Sequence, residues 1–257
     1  MKNYRKTAAT VLSFAAAVIL MYFVLQKAGF RNIPGYLSAM DFKWIALATG
    51  LYTVDMIIKA YRWKLLLKSN NIEATVQDSF MAYNLGNSLN IIIPAKMGDI
   101  ARSYYLKKKF GYGYSRTLPS TFLDRLFDVL GVYVVILLCS IYILARTELT
   151  PWMYNIFLLG IAMLVAAFFA MELLLRKREY AEGIRNEKLR GFVLSLAEAF
   201  EGSFKNRGRF LLLLACSAAI WLSEGLFTCL IFISMGQLLN PIILIFTTMI
   251  AILTKVF

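Results

Sequence analysis

The segment VLGVYVVILLCSIYILA, residues 129–145, contains no charged side chain. A helix needs roughly 20 apolar residues to cross a hydrocarbon core of about 30 Å, so this segment is close to a full crossing. Uncharged stretches of the same character occupy residues 7–25, 151–170 and 210–223. Across the chain 60% of residues are hydrophobic and 17% are charged, whereas soluble domains carry about 25% charged residues. The sequence therefore predicts an all-α, polytopic bundle of transmembrane helices.

The lysines and arginines predict the orientation of the bundle, because cytoplasmic loops carry an excess of both. Lys2, Arg5 and Lys6 place the N-terminus in the cytoplasm. The apolar stretch that follows is longer than the core of a signal peptide, so we expect it to be retained as a first helix. The net charge of +13 fits an anionic membrane surface. We expect a multi-pass protein of a prokaryotic cytoplasmic membrane.

Residues 79–93 disturb the alternation of helices and loops. They are short for a crossing and rich in asparagine, and the strongly basic stretch after them again looks cytoplasmic. A re-entrant or broken segment resolves the conflict, since irregular backbone is tolerated at membrane depth where it lines a cavity. The alternative is an ordinary short helix whose asparagines pack against neighbouring helices.

Two further segments complete the predicted organisation. Residues 176–209 carry charges of both signs and apolar residues at helical spacing, which predicts an amphipathic cytoplasmic helix on the membrane surface or against the bundle. The apolar residues 241–253 are too few to span a bilayer. We therefore expect residues 1–257 to form a single transmembrane domain that is truncated at its C-terminus, the alternative being a terminus that is only partly inserted.

The residue types narrow the chemistry. The chain has no histidine, which removes histidine-based acid–base catalysis, and its three cysteines lack the spacing of metal ligands. We expect no metal and no other cofactor. The expected partners are membrane lipids, with no nucleic acid, and the oligomeric state is left open.

Polar and ionisable side chains gather between residues 62 and 128, and such groups at membrane depth usually mark a pathway or a site. Asp99 with Arg102, and Arg125 with Asp128, could each be a simple ion pair one helical turn apart. A helix break at Pro94 would also free terminal amides that suit a phosphate, and the combination favours a polar cavity for an anionic headgroup. The candidate substrate-binding residues are Arg62, Asn87, Asn90, Lys96, Asp99, Arg102, Asp124, Arg125, Asp128 and Glu224.

Three acidic residues lie within apolar stretches. Asp55 is one turn before Lys59 and Glu172 is one turn before Arg176, so pairing within the helix is expected for both. Glu224 has no evident partner in its own helix. It could carry a proton or pair with an arginine of the polar stretch.

The segment PAKMGDIAR, residues 94–102, with Asn90 before it and DRLFD at 124–128, resembles the lysylphosphatidylglycerol synthase transmembrane family. That family is also described as flippase-like and is related to membrane regions of archaeal dolichol-linked glycosyltransferases. Lys96 and Asp124 stand where the family pattern has arginine and glutamate. Lysine lacks the bidentate phosphate fork of arginine, which weakens the expected grip at position 96.

The residues and the resemblance together imply an integral membrane protein that binds and translocates an anionic or aminoacylated lipid, either a phospholipid or a polyprenyl-phosphate-linked one. Lys96, Arg102 and Arg125 would neutralise the phosphate, Asn87 and Asn90 would hydrogen-bond the headgroup, and the acids would hold the arginines. The alternatives are a membrane scaffold or subunit for a soluble aminoacyl- or glycosyl-transferase and, ranked last, a membrane-embedded transferase that uses Asp99 or Asp124 as a general base.

Overall fold

In the computed structural model, the structure describes residues 33–92, 98–145 and 184–256, with isolated helical positions between 15 and 27 and between 158 and 169. The predicted helices at 7–25 and 151–170 lie largely outside the described residues, and Lys96 and Glu172 lie outside them entirely. The described ranges form helices and contain no strand. In chain order the helices are α1 (Ile33–Ala39), α2 (Phe42–Ser69), α3 (Val76–Ile92), α4 (Gly98–Phe110), α5 (Tyr114–Leu144), α6 (Glu187–Phe204), α7 (Arg207–Ser234) and α8 (Pro241–Val256).

The all-α membrane fold is confirmed, and two of the described helices, α5 and α7, are long and apolar enough to cross a bilayer. Only 28% of the most apolar part of α7 is buried, so most of it faces outward. Leu138 and Ile141 on α5 and Leu211 on α7 are each more than half exposed. Apolar surface of this extent is typical of contact with lipid rather than with water. On their inner sides α5, α7 and α8 share a core that includes Ile136 and Met249.

Helix α2 is longer than the sequence predicts. The charge pattern of the sequence predicts a helix over about residues 44–58 and then a basic cytoplasmic segment with Lys59, Arg62, Lys64 and Lys68, but the helix continues to Ser69. Lys59 and Arg62 are buried within it and paired with carboxylates, so they are compatible with the interior of the bundle. The helix ends where Asn71 adopts a positive φ of 52°, a conformation that asparagine tolerates better than most residues.

Helices α3 and α4 form an antiparallel hairpin, the arrangement that a re-entrant or broken segment requires, with residues 79–92 in one continuous helix. At its open end Lys109, in the last turn of α4, forms an ion pair with Asp78, in the first turn of α3. Hydrogen bonds from Lys109 and from Thr75 lower the pKa of Asp78 below its usual range. A helix of 17 residues, such as α3, is only about 25 Å long, which is shorter than a hydrocarbon core of about 30 Å.

The two arms of the hairpin approach closely because a glycine lies on each. A Cβ atom on Gly98 would lie 1.9 Å from the backbone oxygen of Gly86, a distance at which the helices would have to separate. A similar contact joins α5 to α7, where a Cβ on Gly131 would lie 2.7 Å from the backbone of Ser217.

Helix α6 is the predicted amphipathic helix, and in the structure it lies against the bundle. Its buried Ala199 and Phe200 pack in one cluster with Leu66 of α2 and Phe127 of α5. The part of the predicted segment before residue 184 lies outside the described residues.

Polar contacts show which helix termini meet at each end of the bundle. At one end Asn70, after α2, donates a hydrogen bond to the backbone oxygen of Arg116 in α5. Arg209 of α7 donates to the Gly202 oxygen of α6 at 3.0 Å at the same end. At the other end the Asp41 amide before α2 donates to the Ser234 oxygen of α7 at 2.9 Å, so α2 and α7 run antiparallel over their whole length.

We predict that Gly98→Ala destabilises the full-length protein by about 1–3 kcal/mol, because the added methyl group overpacks the hairpin. Gly50→Ala is the matched control, since a Cβ there meets nothing within 4 Å and alanine favours a helix over glycine. Equilibrium unfolding in detergent measures both. Equal stability of the two variants would contradict the close hairpin.

Candidate functional site

Asp124 of α5 is fully buried and lies between two fully buried arginines. Its Oδ1 accepts hydrogen bonds from Nε and Nη2 of Arg62, at 3.1 and 2.8 Å. Its Oδ2 accepts one from Nη1 of Arg102 at 2.9 Å. A single carboxylate therefore links α2, α4 and α5, and burial makes each of these contacts stronger than it would be in water.

The guanidinium of Arg62 donates hydrogen bonds to three side chains. Besides Asp124 it donates from Nη2 to Asp128 Oδ1 at 2.6 Å. It also donates from Nη1 to Ser217 Oγ of α7 at 2.8 Å. The side chain thus holds α7 to α5, which is possible because Gly131 lets these two helices approach at the same level.

Arg102 lies in an aromatic enclosure. Its guanidinium carbon is 3.7 Å from the ring centroid of Tyr83 and 5.8 Å from that of Trp63, positions that favour cation–π attraction. Its Nη2 is 3.4 Å from Asp99 Oδ1, a contact of opposite charges that is too poorly aligned for a hydrogen bond. Nε and Nη2 of Arg102 therefore make no hydrogen bond with the residues that the structure describes.

Arg125 forms the accessible side of the cluster, with 34% of its side chain exposed. It binds Asp99 of α4 in a bidentate fork, with Nε to Oδ2 at 2.9 Å and Nη2 to Oδ1 at 2.7 Å. Nη1 also donates to Asp128 Oδ2 at 3.3 Å. Fork geometry of this kind makes arginine a strong ligand for a carboxylate or a phosphate.

These contacts form one arginine–aspartate network, which contains as many arginines as aspartates and is therefore neutral. Burying ions without partners costs several kcal/mol each, so the pairing is a condition for placing them inside the protein. Its members are Arg62, Asp99, Arg102, Asp124, Arg125 and Asp128.

Six of the ten predicted site residues form the arginine–aspartate network. Asn87, Asn90 and Glu224 have other contacts. Asn90 lies beside the network, and its Oδ1 accepts the Gly98 amide at 2.8 Å, so it occupies one of the α4 terminal amides that we expected to suit a phosphate. Asn87 lies 3.6 Å from the sulfur of Met56. The position of Lys96 falls outside the described residues.

Glu224 lies apart from the network in a second cluster, the lysine triad, formed by Asp55, Lys59 and Glu224. Lys59 Nζ is 2.6 Å from Asp55 Oδ2 and 2.8 Å from Glu224 Oε1. The predicted Asp55–Lys59 pair is confirmed. Pairing with an arginine was one of two possibilities for Glu224, and among the described residues its ion-pair partner is instead Lys59, one turn before Arg62 on α2.

Sequence reasoning missed Lys59 as a partner of Glu224, and it missed Tyr83, Trp63 and Ser217, which surround the arginines. One signal was available for the lysine. Residues 55, 59 and 62 recur at helical spacing, so a continuous α2 places Asp55, Lys59 and Arg62 on one face. Treating residues after 58 as a loop concealed that pattern.

The network can supply hydrogen-bond donors and positive charge to an anion. Within the described residues no group of three or more aspartate, glutamate, histidine or cysteine side chains is placed to hold a metal ion. The donors that remain are those of Arg102 and the exposed part of Arg125, and both suit the oxygens of a phosphate.

We predict that Asp124→Asn lowers the stability by about 3–5 kcal/mol, because it leaves two buried guanidiniums short of a counter-charge. The control is Glu201→Gln, which breaks the exposed Lys205–Glu201 pair on α6 and should leave the melting temperature nearly unchanged. Thermal unfolding of the full chain in detergent measures both. Similar melting temperatures would show that Asp124 does not hold the network together.

Comparison with known proteins places this architecture in a family. Residues 10–256 match the family described as "Lysylphosphatidylglycerol synthase TM region". A UPF0104 membrane protein of Pyrococcus horikoshii is 27% identical over 242 residues, which cover 85% of this chain and 72% of that protein. One from Methanocaldococcus jannaschii is 26% identical over 151 residues, covering 58% of this chain and 62% of that protein. No solved structure matches. The chain therefore belongs to the lysylphosphatidylglycerol synthase transmembrane-region family, as its residues predicted.

Proposed function

We propose that this protein binds the anionic headgroup of a membrane lipid at Arg125 and moves that lipid across the membrane. The headgroup carries a phosphate, with or without an aminoacyl substituent, on a phospholipid or a polyprenyl carrier. The observation that carries the proposal is the convergence of two guanidinium nitrogens on one oxygen. Nη2 of Arg125 lies 2.7 Å and Nη2 of Arg102 lies 3.4 Å from Oδ1 of Asp99.

Asp99 occupies the position that a phosphate oxygen would take. Its side chain is 16% exposed, in contrast to the full burial of Asp124, so it lies at the border of the network. A phosphate that displaced it would gain the Arg125 fork and the Nη2 donor of Arg102. Buried donors without a partner are rare in native proteins, and a ligand oxygen is one way to satisfy them.

The remaining arginines and aspartates support that contact without touching the lipid. Arg62 and Asp124 are fully buried, so they act by holding Arg102 and Asp128 in place. Asn87 and Asn90 lie on α3, one arm of the hairpin. We propose that their side chains form hydrogen bonds with polar groups of the headgroup beyond the phosphate. Ionisable groups held inside a membrane bundle also lower the cost of moving a charged headgroup through it.

We further propose that the chain is a multi-pass protein of a prokaryotic cytoplasmic membrane, with its N-terminus in the cytoplasm. The support is the charge at the two ends of the bundle. Among the described residues, the end where α2 meets α5 and α6 carries most of the basic side chains, including Lys107, Lys108 and Lys109, and the opposite end near Ser234 carries few. Positive charge on the cytoplasmic side is the general rule.

We expect Arg125→Gln to reduce retention of phosphatidylglycerol about tenfold or more, because a hydrogen bond to a charged group contributes about 1.5–3 kcal/mol. Asp99→Asn should increase retention, since it removes the competing carboxylate and leaves the network with net positive charge. Native mass spectrometry of the detergent-purified protein measures both.

Arg207→Gln is the matched control for charge, because Arg207 is exposed at the start of α7, outside the network. It should retain lipid as the wild type does. Equal, non-selective lipid binding by all four proteins would refute the headgroup site and favour a scaffold for a separate transferase.

The proposed orientation predicts opposite labelling of two new cysteines in a background where Cys139, Cys216 and Cys229 are alanine. In intact cells Gln237→Cys should react with a membrane-impermeant maleimide, and Lys108→Cys should react only after the cells are opened. Both positions are exposed in the structure. Reaction of Lys108→Cys in intact cells would reverse the orientation.

A further inference from the structure

The lysine triad differs from the arginine–aspartate network in its charge. One ammonium, on Lys59, faces the two carboxylates of Asp55 and Glu224. If all three groups are ionised, the triad has one negative charge in excess. Arg62 does not compensate for it, because its guanidinium is already shared by Asp124 and Asp128.

The excess charge lies near the middle of the bundle. Asp55 is close to the centre of α2 and is 2% exposed, and Glu224 is well inside α7. Oδ1 of Asp55 accepts a hydrogen bond from Ser223 at 3.1 Å. Its buried Oδ2 has the ammonium beside it but receives no hydrogen bond of good geometry from the described residues. An uncompensated charge at this depth is costly, so the site favours uptake of a positive charge.

A proton suits this site better than a metal cation does. The Lys59 ammonium already occupies the space between the two carboxylates, at 2.6 and 2.8 Å, and it would repel a sodium ion there. A proton needs no such space, since it binds directly to a carboxylate oxygen. The side chain of Glu224 is 29% exposed, whereas that of Asp55 is 2% exposed, so Glu224 is the less enclosed of the two carboxylates.

We propose that the lysine triad binds and releases one proton at Glu224, and that this proton is the coupling ion for lipid movement. The coupling rests on the proposed function, whereas the proton site does not. Water delivers the proton to a Glu224 oxygen and the carboxylate becomes a neutral carboxylic acid. Lys59 then pairs with Asp55 alone, and the ion pair between α2 and α7 is lost. Release of the proton restores it.

Among the described residues, the ionisable groups of the arginine–aspartate network and of its aromatic enclosure are already engaged with one another. Helix α8, which packs on α7, has no charged residue before Lys255. Arg62 is one turn after Lys59 on α2, and the groups that pack around Arg62 and Arg102 include Tyr83 on α3 and both Asp124 and Asp128 on α5.

Infrared difference spectroscopy of the full chain in lipid vesicles tests the proton site. In a pH titration the wild type should show the carbonyl band of a protonated carboxylic acid, which disappears as the pH rises. Glu224→Gln should lack this band, and Glu224→Asp should restore a titrating band at a shifted pH. Glu201→Gln, at an exposed ion pair on α6, should titrate as the wild type does.

The test is the difference between the titrations of the wild type and Glu224→Gln, because the other carboxylates also protonate at low pH. A wild-type titration that shows no band beyond those of Glu224→Gln would overturn the proposal, and loss of a band in Asp55→Asn but not in Glu224→Gln would place the proton on Asp55 instead. Sodium-dependent thermal stabilisation that Glu224→Gln abolishes would replace the proton with a metal cation. Vesicles that contain phosphatidylglycerol then test coupling, since a pH gradient should accelerate lipid translocation by the wild type but not by Glu224→Gln.

The two proposals fail separately. If Arg125→Gln retains lipid as the wild type does while the infrared band still titrates, the lipid site is wrong and the proton site stands. If Arg125→Gln loses lipid and no band titrates, the lipid site stands without proton coupling.

Discussion

One carboxylate, that of Asp124, constrains the whole arrangement of helices. It is fully buried with a guanidinium on each side, one from α2 and one from α4. Neither arginine can leave without stranding a buried charge, so the three helices must meet at this level. Helix α2 therefore has to continue past its apolar half as far as Arg62. Helix α4 has to run back into the bundle so that Arg102 can reach Asp124, and the hairpin of α3 and α4 makes this possible.

Glycines make these charge contacts geometrically possible. A Cβ on Gly86 would lie 2.8 Å from Cγ of Arg102, so a larger residue there would obstruct the arginine on its way to Asp124. Gly131 has the equivalent role on the other side of the network, where it lets α7 bring Ser217 to Arg62. The ion pairs thus depend on the glycines, because the close approach of the helices excludes water from the ion pairs.

The membrane-spanning helices could be predicted from the sequence, because hydrocarbon requires a minimum length of apolar helix. The charged residues of the site could also be predicted, but the ion pairs that they form with one another could not. Apolar runs revealed α5 and α7. The charge rule ended α2 too early, because it counts basic residues without knowing their partners. Local spacing suggested the pairs Asp99–Arg102 and Arg125–Asp128, which are the longest ion contacts of the network, at 3.4 and 3.3 Å. The contacts of 2.6–2.9 Å join different helices, and no spacing along the chain reveals them.

Two of the polar links between α2 and α7 differ in charge, and that difference determines how these helices could move. Arg62 and Ser217 are fully buried, and the network to which Arg62 belongs is neutral, so it gains nothing from a change of protonation. Lys59 to Glu224, one turn away, belongs to a cluster with excess negative charge. In the proposed mechanism protonation releases the second link and leaves the first, which then acts as a pivot. On the Asp55 side of that pivot the hydrogen bond from Ser223 to Asp55 still holds α7 to α2, so protonation loosens the contact there and leaves the basic end, near Ser69, closed. A lipid headgroup site that opens alternately needs such an asymmetry, and two links of unequal charge balance on one helix face supply it.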